Sequence, residues 1–323
     1  MLGQVGSRFV AMLPVADTKE VSRAVCRDEA VLRPGVDQLC RLLGVNTIGL
    51  SRFAGGSLPV YAAGDLVLKL FPPVALASCR VETGVLAAVE GRLPTSTPRV
   101  RAAGEHDGWG YVLMGRLAGV TLKTAWKQIP AKERDHLAVR LGETIAALHQ
   151  VAPPLIENWW PDDWPAFVAA QHAGCAARQR DLGLPPAWVD KLPSFLDDVT
   201  LRSGRLVLLH TEVRRQHLLV AQDHVGAWQL SGLIDFEHAM LGAREYEFAA
   251  AGVYVAQGDH RFLRRVLTAY GYTAGELDRD LRQRLLAWAI LHRYSNLPAW
   301  LRRLPQPSFP TFASLAERWF ATE

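Results

Sequence analysis

Apolar and polar positions change their period several times in the first third of the chain. Asp28–Leu43 has helical spacing, whereas the stretch after it consists of short β-branched and aromatic runs broken by glycine turns, which is typical of hairpins. Helical spacing returns at Val74–Val89, and Pro94 and Pro98 mark the loop that follows. The predicted strands of this region are Thr47–Phe53, Leu58–Ala63, Leu66–Phe71, Val100–Ala103 and Trp109–Met114. The pattern therefore predicts a small sheet with one inserted helix.

The pattern becomes mainly helical from Thr121 onward. Glu133–Val151 and Trp164–Leu182 have the spacing of long helices. One β island interrupts them, with short apolar runs at Leu206–Leu209, Leu218–Ala221 and Leu230–Ile234.

Chain length supports a division into two parts. A chain of 323 residues exceeds the roughly 250 residues at which single cores stop growing. We expect an α+β, two-lobed fold with a β-rich N-terminal lobe at residues 1–114, a hinge at 115–119 and a helical C-terminal lobe at 120–323.

Composition and charge exclude several classes of protein. Apolar residues make up 49% of the chain and charged residues 21%, as in ordinary globular proteins. The net charge of +4 is spread along the chain, so we expect no nucleic-acid partner. No apolar run approaches the roughly 20 residues that cross a bilayer, and Phe9–Val15 is too short and too interrupted by Pro14 for a signal peptide. We expect a cytoplasmic protein, monomeric or homodimeric, that does not bind membranes.

The four cysteines fit that compartment. They show no Cys-x-x-Cys spacing, which favours reduced, partly buried thiols over disulfides or a zinc site. They are Cys26, Cys40, Cys79 and Cys175.

Two features of the first part could serve a phosphate. Gly55, Gly56 and Ser57 lie between predicted strands, where a backbone without side chains can approach a phosphate, although hairpins also contain glycines for turn geometry alone. Lys69 is a lone cation in an apolar strand, and burying it requires an anion. Glu82 on the next helix is the expected partner, unless Lys69 points into water from an edge strand.

Polar clusters follow the short apolar strands of the β island. His210, Glu212 and His217 come after the first of these strands, and Asp235 and Glu237 come after the last. Strand ends hold side chains on a rigid support, as a phosphoryl-transfer site requires. Each cluster alone is common, but their order downstream of the lysine indicates one kind of fold.

These residues resemble the aminoglycoside phosphotransferase family, which includes the hygromycin phosphotransferases. The resemblance implies a protein-kinase-like fold and transfer of the γ-phosphoryl group of ATP or GTP to a hydroxyl group. The matching stretches are Leu66–Phe71, Pro98–Gly104, Tyr111–Gly119, Leu141–Val151, Leu206–Val220 and Leu233–Ala249.

The resemblance also implies roles for the nucleotide-binding residues. Lys69 and Glu82 would form an ion pair that holds the α- and β-phosphates, and the glycine loop would approach the phosphates. Met114 and Arg116 would belong to the hinge beside the adenine.

Roles in catalysis follow in the same way. His210 would be a scaffold residue of the catalytic loop, and Glu212 would accept the proton of the acceptor hydroxyl. Asp235 would bind Mg²⁺ at the phosphates, and His217 stands where the family has a metal-binding asparagine. Gly242–Ala249 resembles the family segment Gly-Asp-Pro-x-Tyr-Asp-Leu-Ala, with Glu247 in place of its second aspartate.

Two positions of the catalytic loop depart from the family. Glu212 replaces an aspartate, and the extra methylene moves the carboxylate by more than ~1 Å, a displacement that can cost about 100-fold in rate. His217 offers nitrogen, whereas Mg²⁺ prefers oxygen. Three readings stay open: one Mg²⁺ on Asp235, a preference for Mn²⁺, or a feeble enzyme that binds nucleotide. A metal-dependent hydrolase with His210, Glu212, His217 and His238 as ligands is a further alternative.

The acceptor site is predicted in the helical part. Tryptophans and carboxylates in one loop suit a cationic aminosugar, but the reading in which the tryptophans fix this loop to the core is favoured. The loop residues are Trp159, Trp160, Asp162, Asp163 and Trp164, and further candidates are Glu237, Tyr294, Asn296 and Trp300. Arg214 and Arg215 could stabilise the transferred phosphoryl group or could be solvated loop residues.

The sequence therefore predicts an ATP- or GTP-dependent O-phosphotransferase that uses Mg²⁺ or Mn²⁺. Its partners would be the nucleotide and a small hydroxylated acceptor, with an aminoglycoside antibiotic such as hygromycin as the leading candidate and antibiotic resistance as the role. The alternative is a nucleotide-binding pseudokinase with weak or no activity.

Overall fold

A computed structural model describes residues 12–157, 159–202 and 204–322. Of the apolar N-terminal segment Phe9–Val15, the first three residues lie outside these ranges, and so does Asn158 of the tryptophan loop. The chain divides into two compact units. The first contains residues 12–83 and Pro98–Arg116, and the second contains Gly84–Thr97 and residues 117–322.

The first unit combines helices with one antiparallel sheet. Its sheet has the strand order β1-β2-β3-β5-β4, with β3 at the centre. The change of unit falls inside helix α3, whose residues up to Thr83 belong here. The elements are α1 (Lys19–Val25), α2 (Glu29–Leu42), β1 (Ser51–Arg52), β2 (Val60–Ala63), β3 (Leu66–Phe71), α3 (Leu76–Val89), β4 (Val100–His106) and β5 (Trp109–Gly115).

Local chemistry explains these boundaries. The Asp28 carboxylate accepts hydrogen bonds from the first backbone N–H groups of α2 and so begins that helix. The predicted strand Thr47–Phe53 is wrong in its first half, because Gly49 has a φ of +77° and the Leu50 N–H closes a turn onto the Thr47 carbonyl. Only β1 remains extended.

The core of the first unit lies between α2 and one face of the sheet. Leu32, Val36 and Leu39 of α2 are buried at helical spacing and pack with Leu68 and Leu70 of β3. Lys69 therefore lies between two buried residues of β3, Leu68 and Leu70.

The second unit is mainly helical. It contains two small sheets, one of order β6-β8-β9 and one that pairs β10 with β7. The elements after α3 are β6 (Val120–Thr121), α4 (Leu122–Ala125), α5 (Ala131–Leu148), α6 (Trp164–Asp181), α7 (Pro186–Val189), α8 (Leu192–Asp198), β7 (Val207–Leu209), β8 (Leu218–Gln222), β9 (Trp228–Leu233), β10 (Met240–Gly242), α9 (Arg244–Ala250), α10 (His260–Tyr270), α11 (Arg279–Leu291), α12 (Leu297–Arg303) and α13 (Phe312–Phe320).

The predicted β island is confirmed but incomplete. β7, β8 and β9 occupy the three predicted runs, while β6 and β10 are additional pairing strands too short for an alternating pattern. A π-helical segment, Ala251–Ala256, continues α9 and was also missed.

The fold class is confirmed as α+β, with a β-rich N-terminal part and a helical C-terminal part. Among the described residues, every helix is too short or too polar to cross a membrane.

Candidate active site

The predicted ion pair of the first unit is present. Lys69 Nζ lies 2.6 Å from Glu82 Oε2, and the two side chains are only 8% and 2% exposed. Lys69 is held on the central strand β3, where it pairs with Val60 on one side and Val112 on the other. A buried carboxylate at this distance holds the ammonium group in position.

The glycine loop between β1 and β2 has the backbone that glycine allows. Gly55 and Gly56 have φ values of +89° and +88°, and these residues and Ser57 are exposed. A side chain at either glycine would be strained, so the loop depends on both. Its role in phosphate binding stays a prediction.

The predicted hinge residues lie at the end of β5. Met114 is buried and pairs with Val67. The Arg116 N–H donates to the Asp65 carbonyl at 2.7 Å, and its guanidinium lies 5.7 Å from the Phe53 ring centroid. The role of Met114 and Arg116 beside the adenine stays a prediction.

In the second unit, the predicted catalytic loop begins where β7 ends. Thr211 has a φ of +68°, a conformation that costs free energy for a β-branched residue. Three hydrogen bonds hold it there: its N–H donates to Glu247 Oε1 at 2.9 Å, its hydroxyl donates to the His238 carbonyl at 2.9 Å, and its carbonyl accepts from His292 Nε2 at 3.0 Å. The start of the loop is therefore fixed by three separate segments of the unit.

His210 connects this loop to the segment that follows β9. Its Nε2–H donates to the Ile234 carbonyl at 2.9 Å, and its Nδ1 accepts from the Glu212 N–H at 3.3 Å. The backbone N–H of His210 donates to Glu247 Oε2 at 2.6 Å. The geometry is that of a scaffold residue. Because both ring nitrogens are engaged, His210 offers no lone pair to a metal, and the ligand set of the hydrolase alternative is not formed.

Each oxygen of the Glu212 carboxylate has a nitrogen of a neighbouring side chain near it. Arg214 Nη1 donates to Oε1 at 3.1 Å, and His238 Nε2 lies 3.7 Å from Oε2. Burial raises the pKa of Glu212, Arg214 opposes this shift, and the Asp235 and Glu237 carboxylates add to it. The Glu212 carboxylate is thus held in one orientation, mostly shielded from solvent and more basic than a surface glutamate.

His217 and Asp235 lie side by side. His217 Nε2 is 3.0 Å from Asp235 Oδ2, and His217 Nδ1 is 2.9 Å from the Glu212 carbonyl oxygen. A carbonyl only accepts, so Nδ1 carries the proton. Burial lowers the pKa of His217 to about 4, so the ring is neutral and its Nε2 lone pair faces the carboxylate. Asp235 has a φ of +75°, another unusual conformation for a residue with a side chain.

Two residues that organise this loop were not predicted from the sequence: His292 was missed, and Glu247 was given no role. Glu247 on α9 is fully buried and accepts both loop N–H groups described above. His292 at the end of α11 is buried, stacks on Tyr246 with ring centroids 4.8 Å apart, and donates to Thr211. The resemblance singled out Glu247 only as a substitution, and no local pattern marks His292.

Several side chains of the tryptophan loop have structural contacts that an acceptor site would not require. Trp164 is buried among aromatic rings, Trp159 Nε1 donates to the Ala239 carbonyl at 3.0 Å, and the Asp163 carboxylate accepts from the Ala166 N–H as the N-cap of α6. Trp160 is 47% exposed and Asp162 is also exposed. Asp163 is exposed as well, so Trp160 and both aspartates are accessible in the described part of this loop.

The further acceptor candidates divide in the same way. Trp300 is 2% exposed and packs against Tyr254, so it is excluded from a surface site. Asn296 accepts from the Ala299 N–H as the N-cap of α12. Tyr294 is 39% exposed, with its hydroxyl 3.3 Å from the ring nitrogens of His238. Glu237 is buried, with Oε1 3.2 Å from His238 Nε2.

The two loop arginines have different environments. Arg214 pairs with Glu212 and lies over the Tyr254 ring at 4.5 Å. Arg215 lies 3.6 Å from the Trp126 ring centroid and donates to the Val255 carbonyl at 2.8 Å. Arg215 is therefore neither a solvated loop residue nor an arginine directed at the loop carboxylate.

This arrangement of elements defines a protein-kinase-like phosphotransferase fold, and the comparisons place the chain more narrowly. Residues 49–288 match the model of the phosphotransferase enzyme family, so the chain belongs to that family. No curated protein sequence matches the chain.

Several solved structures share the fold. The GDP complex of a variant of aminoglycoside 2'-phosphotransferase-IIIa is 17% identical with a TM-score of 0.62, covering 79% of this chain and 87% of that one. ADP-bound aminoglycoside phosphotransferase APH(2'')-Ib is 16% identical with a TM-score of 0.58, covering 88% and 98%. A ternary complex of a thermostable mutant of aminoglycoside phosphotransferase APH(4)-Ia with ADP and hygromycin B is 18% identical with a TM-score of 0.54, covering 79% of this chain and 87% of that one.

Proposed function

We propose that this protein is an ATP- or GTP-dependent O-phosphotransferase that acts on a small hydroxylated molecule. The observation that carries the proposal is the environment of the Glu212 carboxylate. This group is buried and oriented by Arg214, and burial raises its pKa. Several elements hold its loop in place. The similar structures with GDP, ADP and hygromycin B support nucleotide and aminoglycoside as the first ligands to test.

Glu212 is the proposed general base. The acceptor hydroxyl gives its proton to a Glu212 oxygen while its own oxygen attacks the γ-phosphorus of the nucleotide. The new oxygen–phosphorus bond forms as the bond from the γ-phosphorus to the β–γ bridging oxygen breaks, and the nucleoside diphosphate leaves. Arg214 positions Glu212 for this step.

Asp235 and His217 would hold a divalent cation. Two ligands at ~2.1 Å from one ion, at a right angle, lie about 3 Å apart, and the Asp235 oxygen and the His217 nitrogen are 3.0 Å apart. A mixed oxygen and nitrogen set suits Mn²⁺ better than Mg²⁺. Such an ion, when bound, neutralises charge on the phosphates.

The first unit would bind the nucleotide. Lys69, held by Glu82, is proposed to contact the α- and β-phosphates, and the backbone of Gly55, Gly56 and Ser57 to lie against the phosphates. Met114 and Arg116, at the end of β5, are proposed to lie beside the base.

The test is direct phosphoryl transfer. Purified protein is incubated with ATP or GTP, with Mg²⁺ or Mn²⁺, and with a panel of hydroxylated acceptors that includes hygromycin B, and the products are identified by ³¹P NMR and mass spectrometry. We expect a phosphomonoester that requires Glu212 and Asp235.

The pseudokinase alternative has its own signature. Glu212 and His217 are the two unusual residues of the loop, so a pseudokinase would bind nucleotide without turning over any acceptor. If the Glu212→Asp, His217→Asn double variant then transfers phosphate where the wild type does not, the pseudokinase replaces our proposal.

A further inference from the structure

An arginine and two exposed aromatic rings form a wall in the second unit. The Arg293 guanidinium carbon lies 4.2 Å from the Trp160 ring centroid and 4.8 Å from the Tyr294 ring centroid. Trp160 is 47% exposed and Tyr294 is 39% exposed. We infer that this wall, defined by Trp160, Arg293 and Tyr294, is an acceptor subsite that binds an anionic group, a carboxylate or a phosphate, on the molecule to be phosphorylated.

The wall continues to the proposed general base. The Tyr294 hydroxyl is 3.3 Å from the His238 ring nitrogens, and His238 Nε2 is 3.7 Å from Glu212 Oε2. Burial raises the pKa of Tyr294, Arg293 opposes this shift, and the Glu212, Glu237 and Asp235 carboxylates add to it. These contacts connect Glu212 to the guanidinium through His238 and Tyr294, and an acceptor with its hydroxyl at Glu212 is inferred to place its anionic group at Arg293.

The chemistry of Arg293 favours an anion. The rings engage the faces of the guanidinium, whereas its N–H groups project from the edge, where they can donate in pairs to a carboxylate or phosphate. Within residues 12–157, 159–202 and 204–322, these N–H groups form no hydrogen bond and lie within 4.0 Å of no carboxylate oxygen. The guanidinium is fixed in position, partly exposed, and still has its full donor capacity for a ligand.

A purely structural role for Arg293 would make a different prediction. If Arg293 only packs Trp160 against the unit, the contact made by the flat faces of its guanidinium is what matters, and its charge has no role in binding a ligand. Any ligand preference would then be the same for charged and neutral molecules. The two roles separate on the charge of the ligand.

The inference rests on the proposed function and narrows its acceptor class. Arg214 is already paired with Glu212, so Arg293 is the guanidinium that can meet the other end of the acceptor. It would attract the carboxylate of a sugar acid or the phosphate of a sugar phosphate and would repel an ammonium group of an aminoglycoside. The exposed Asp162 and Asp163 carboxylates lie on the same loop as Trp160, so the preference for an anion is assigned to Arg293 itself and not to the surface as a whole.

Binding of matched probes tests the subsite without requiring turnover. D-glucuronate, D-glucose 6-phosphate, D-glucose and D-glucosamine share a hydroxylated ring and differ in charge. Their dissociation constants are measured by ligand-observed NMR with the full chain. We expect at least one anionic probe to bind roughly tenfold or more tightly than glucose, since a charge-assisted hydrogen bond contributes about 1.5–3 kcal/mol. Comparing the two anions identifies carboxylate or phosphate as the recognised group.

Variants connect that preference to the wall. Arg293→Gln is expected to abolish the difference between the anions and glucose, and Arg293→Lys to retain part of it. Arg180→Ala, which removes an exposed guanidinium at the end of α6, is the matched control and should change nothing. Should Arg293→Gln fail to fold, the wild-type preference and the lysine variant still decide.

Several results overturn the inference. They are equal binding of charged and neutral probes, preference for glucosamine, absence of binding by all four probes, or an anion preference that Arg293→Gln leaves intact. Failure of the proposed function is a separate result: anions would bind through Arg293, but no phosphoryl group would be transferred to any acceptor.

Discussion

The Glu212 carbonyl oxygen accepts a hydrogen bond from His217 Nδ1 at 2.9 Å. This bond places the single proton of the neutral imidazole on Nδ1 and leaves the lone pair on Nε2, 3.0 Å from an oxygen of Asp235. Two electron-pair donors at that distance repel unless a proton or a cation lies near both. The same residue that supplies the proposed base therefore also sets the ligand atom of the proposed metal site.

Replacement of His217 by asparagine should change the metal preference. The wild type is expected to be half-saturated at a lower concentration of Mn²⁺ than of Mg²⁺, because imidazole suits transition metals. In His217→Asn the amide oxygen should shift the ratio of the two concentrations toward Mg²⁺. Titration of phosphoryl transfer, or of nucleotide binding, with each metal measures this ratio. An unchanged ratio would remove His217 from the metal site.

Glu212→Gln should lower kcat by roughly 10² to 10⁴, the contribution of a general base. The nucleotide dissociation constant should change little, because the Glu212 side chain is not among the proposed nucleotide or metal ligands. Steady-state kinetics and nucleotide titration measure the two effects separately. The control is Glu143→Gln, which neutralises an exposed carboxylate on α5. Equal kcat values for the two variants would contradict the role of Glu212.

The Lys69–Glu82 pair should contribute both to stability and to nucleotide binding. Because the pair is buried, Lys69→Met or Glu82→Gln is expected to lower the free energy of unfolding by about 3–5 kcal/mol, and the double variant by less than the sum. Lys69→Met should also weaken nucleotide binding by roughly tenfold or more. Urea unfolding and nucleotide titration supply the measurements.

A surface pair provides the reference for that cycle. Arg33 and Asp37 lie one turn apart on α2 with side chains 37% and 35% exposed, and removing either should cost only about 0.3–0.5 kcal/mol. If the buried and the exposed pairs gave similar coupling energies, the buried pair would not have the electrostatic importance assigned to it.

Stability should fall in mild acid because of His292. Burial lowers the pKa of His292 to about 4 from its ordinary value of 6.5. The folded state therefore binds fewer protons than the unfolded state in this window, so stability is full above pH 6.5 and decreases as the pH falls toward 4. The loss from this residue is of the order of 3 kcal/mol.

Unfolding at a series of pH values tests this sign. His292→Gln should flatten the decrease in unfolding free energy between pH 7 and 5, although His217, whose pKa is also about 4, keeps part of it. The exposed residue His224 provides the control variant His224→Gln, which should leave the slope unchanged. A wild-type protein that gains stability in this window would contradict the assignment.

Two glycines give a matched pair of packing variants. A Cβ at Gly242, on β10, would lie 2.5 Å from Trp164 and 2.7 Å from Leu209, so Gly242→Ala should destabilise by about 1–3 kcal/mol. Gly174 is inside α6 with open space around it, and Gly174→Ala should be neutral or stabilise by up to ~1 kcal/mol. Thermal or urea unfolding compares them. Equal effects would be inconsistent with the tight contact of β10.

Periodicity was sufficient to predict the main elements. The long helix α5 buries side chains at helical spacing and the central strand β3 buries a continuous run, and both patterns are visible in the residue order. Segments set by backbone chemistry were less predictable. Gly49 turned half of a predicted strand into a turn, and β10 is too short to show alternation.

The candidate site divides in a similar way. Lys69 was conspicuous as a charge in an apolar strand, and its partner lay one helix further on. His292 was not detectable, because it contacts Thr211 across 81 positions of the chain and has no motif of its own. Trp300 and Asn296 were poor acceptor candidates for a related reason, since burial and helix capping are set by three-dimensional neighbours.

Thr211 gives this molecule a particular vulnerability. Its unusual backbone is held by Glu247, His238 and His292, which belong to three different stretches of the second unit. A random mutagenesis screen for inactive but folded protein should therefore recover substitutions on α9 and at the end of α11. Such variants would keep their affinity for ligands while their reaction rates fall. The effect would resemble long-range regulation of turnover, but its cause would be the displacement of one loop.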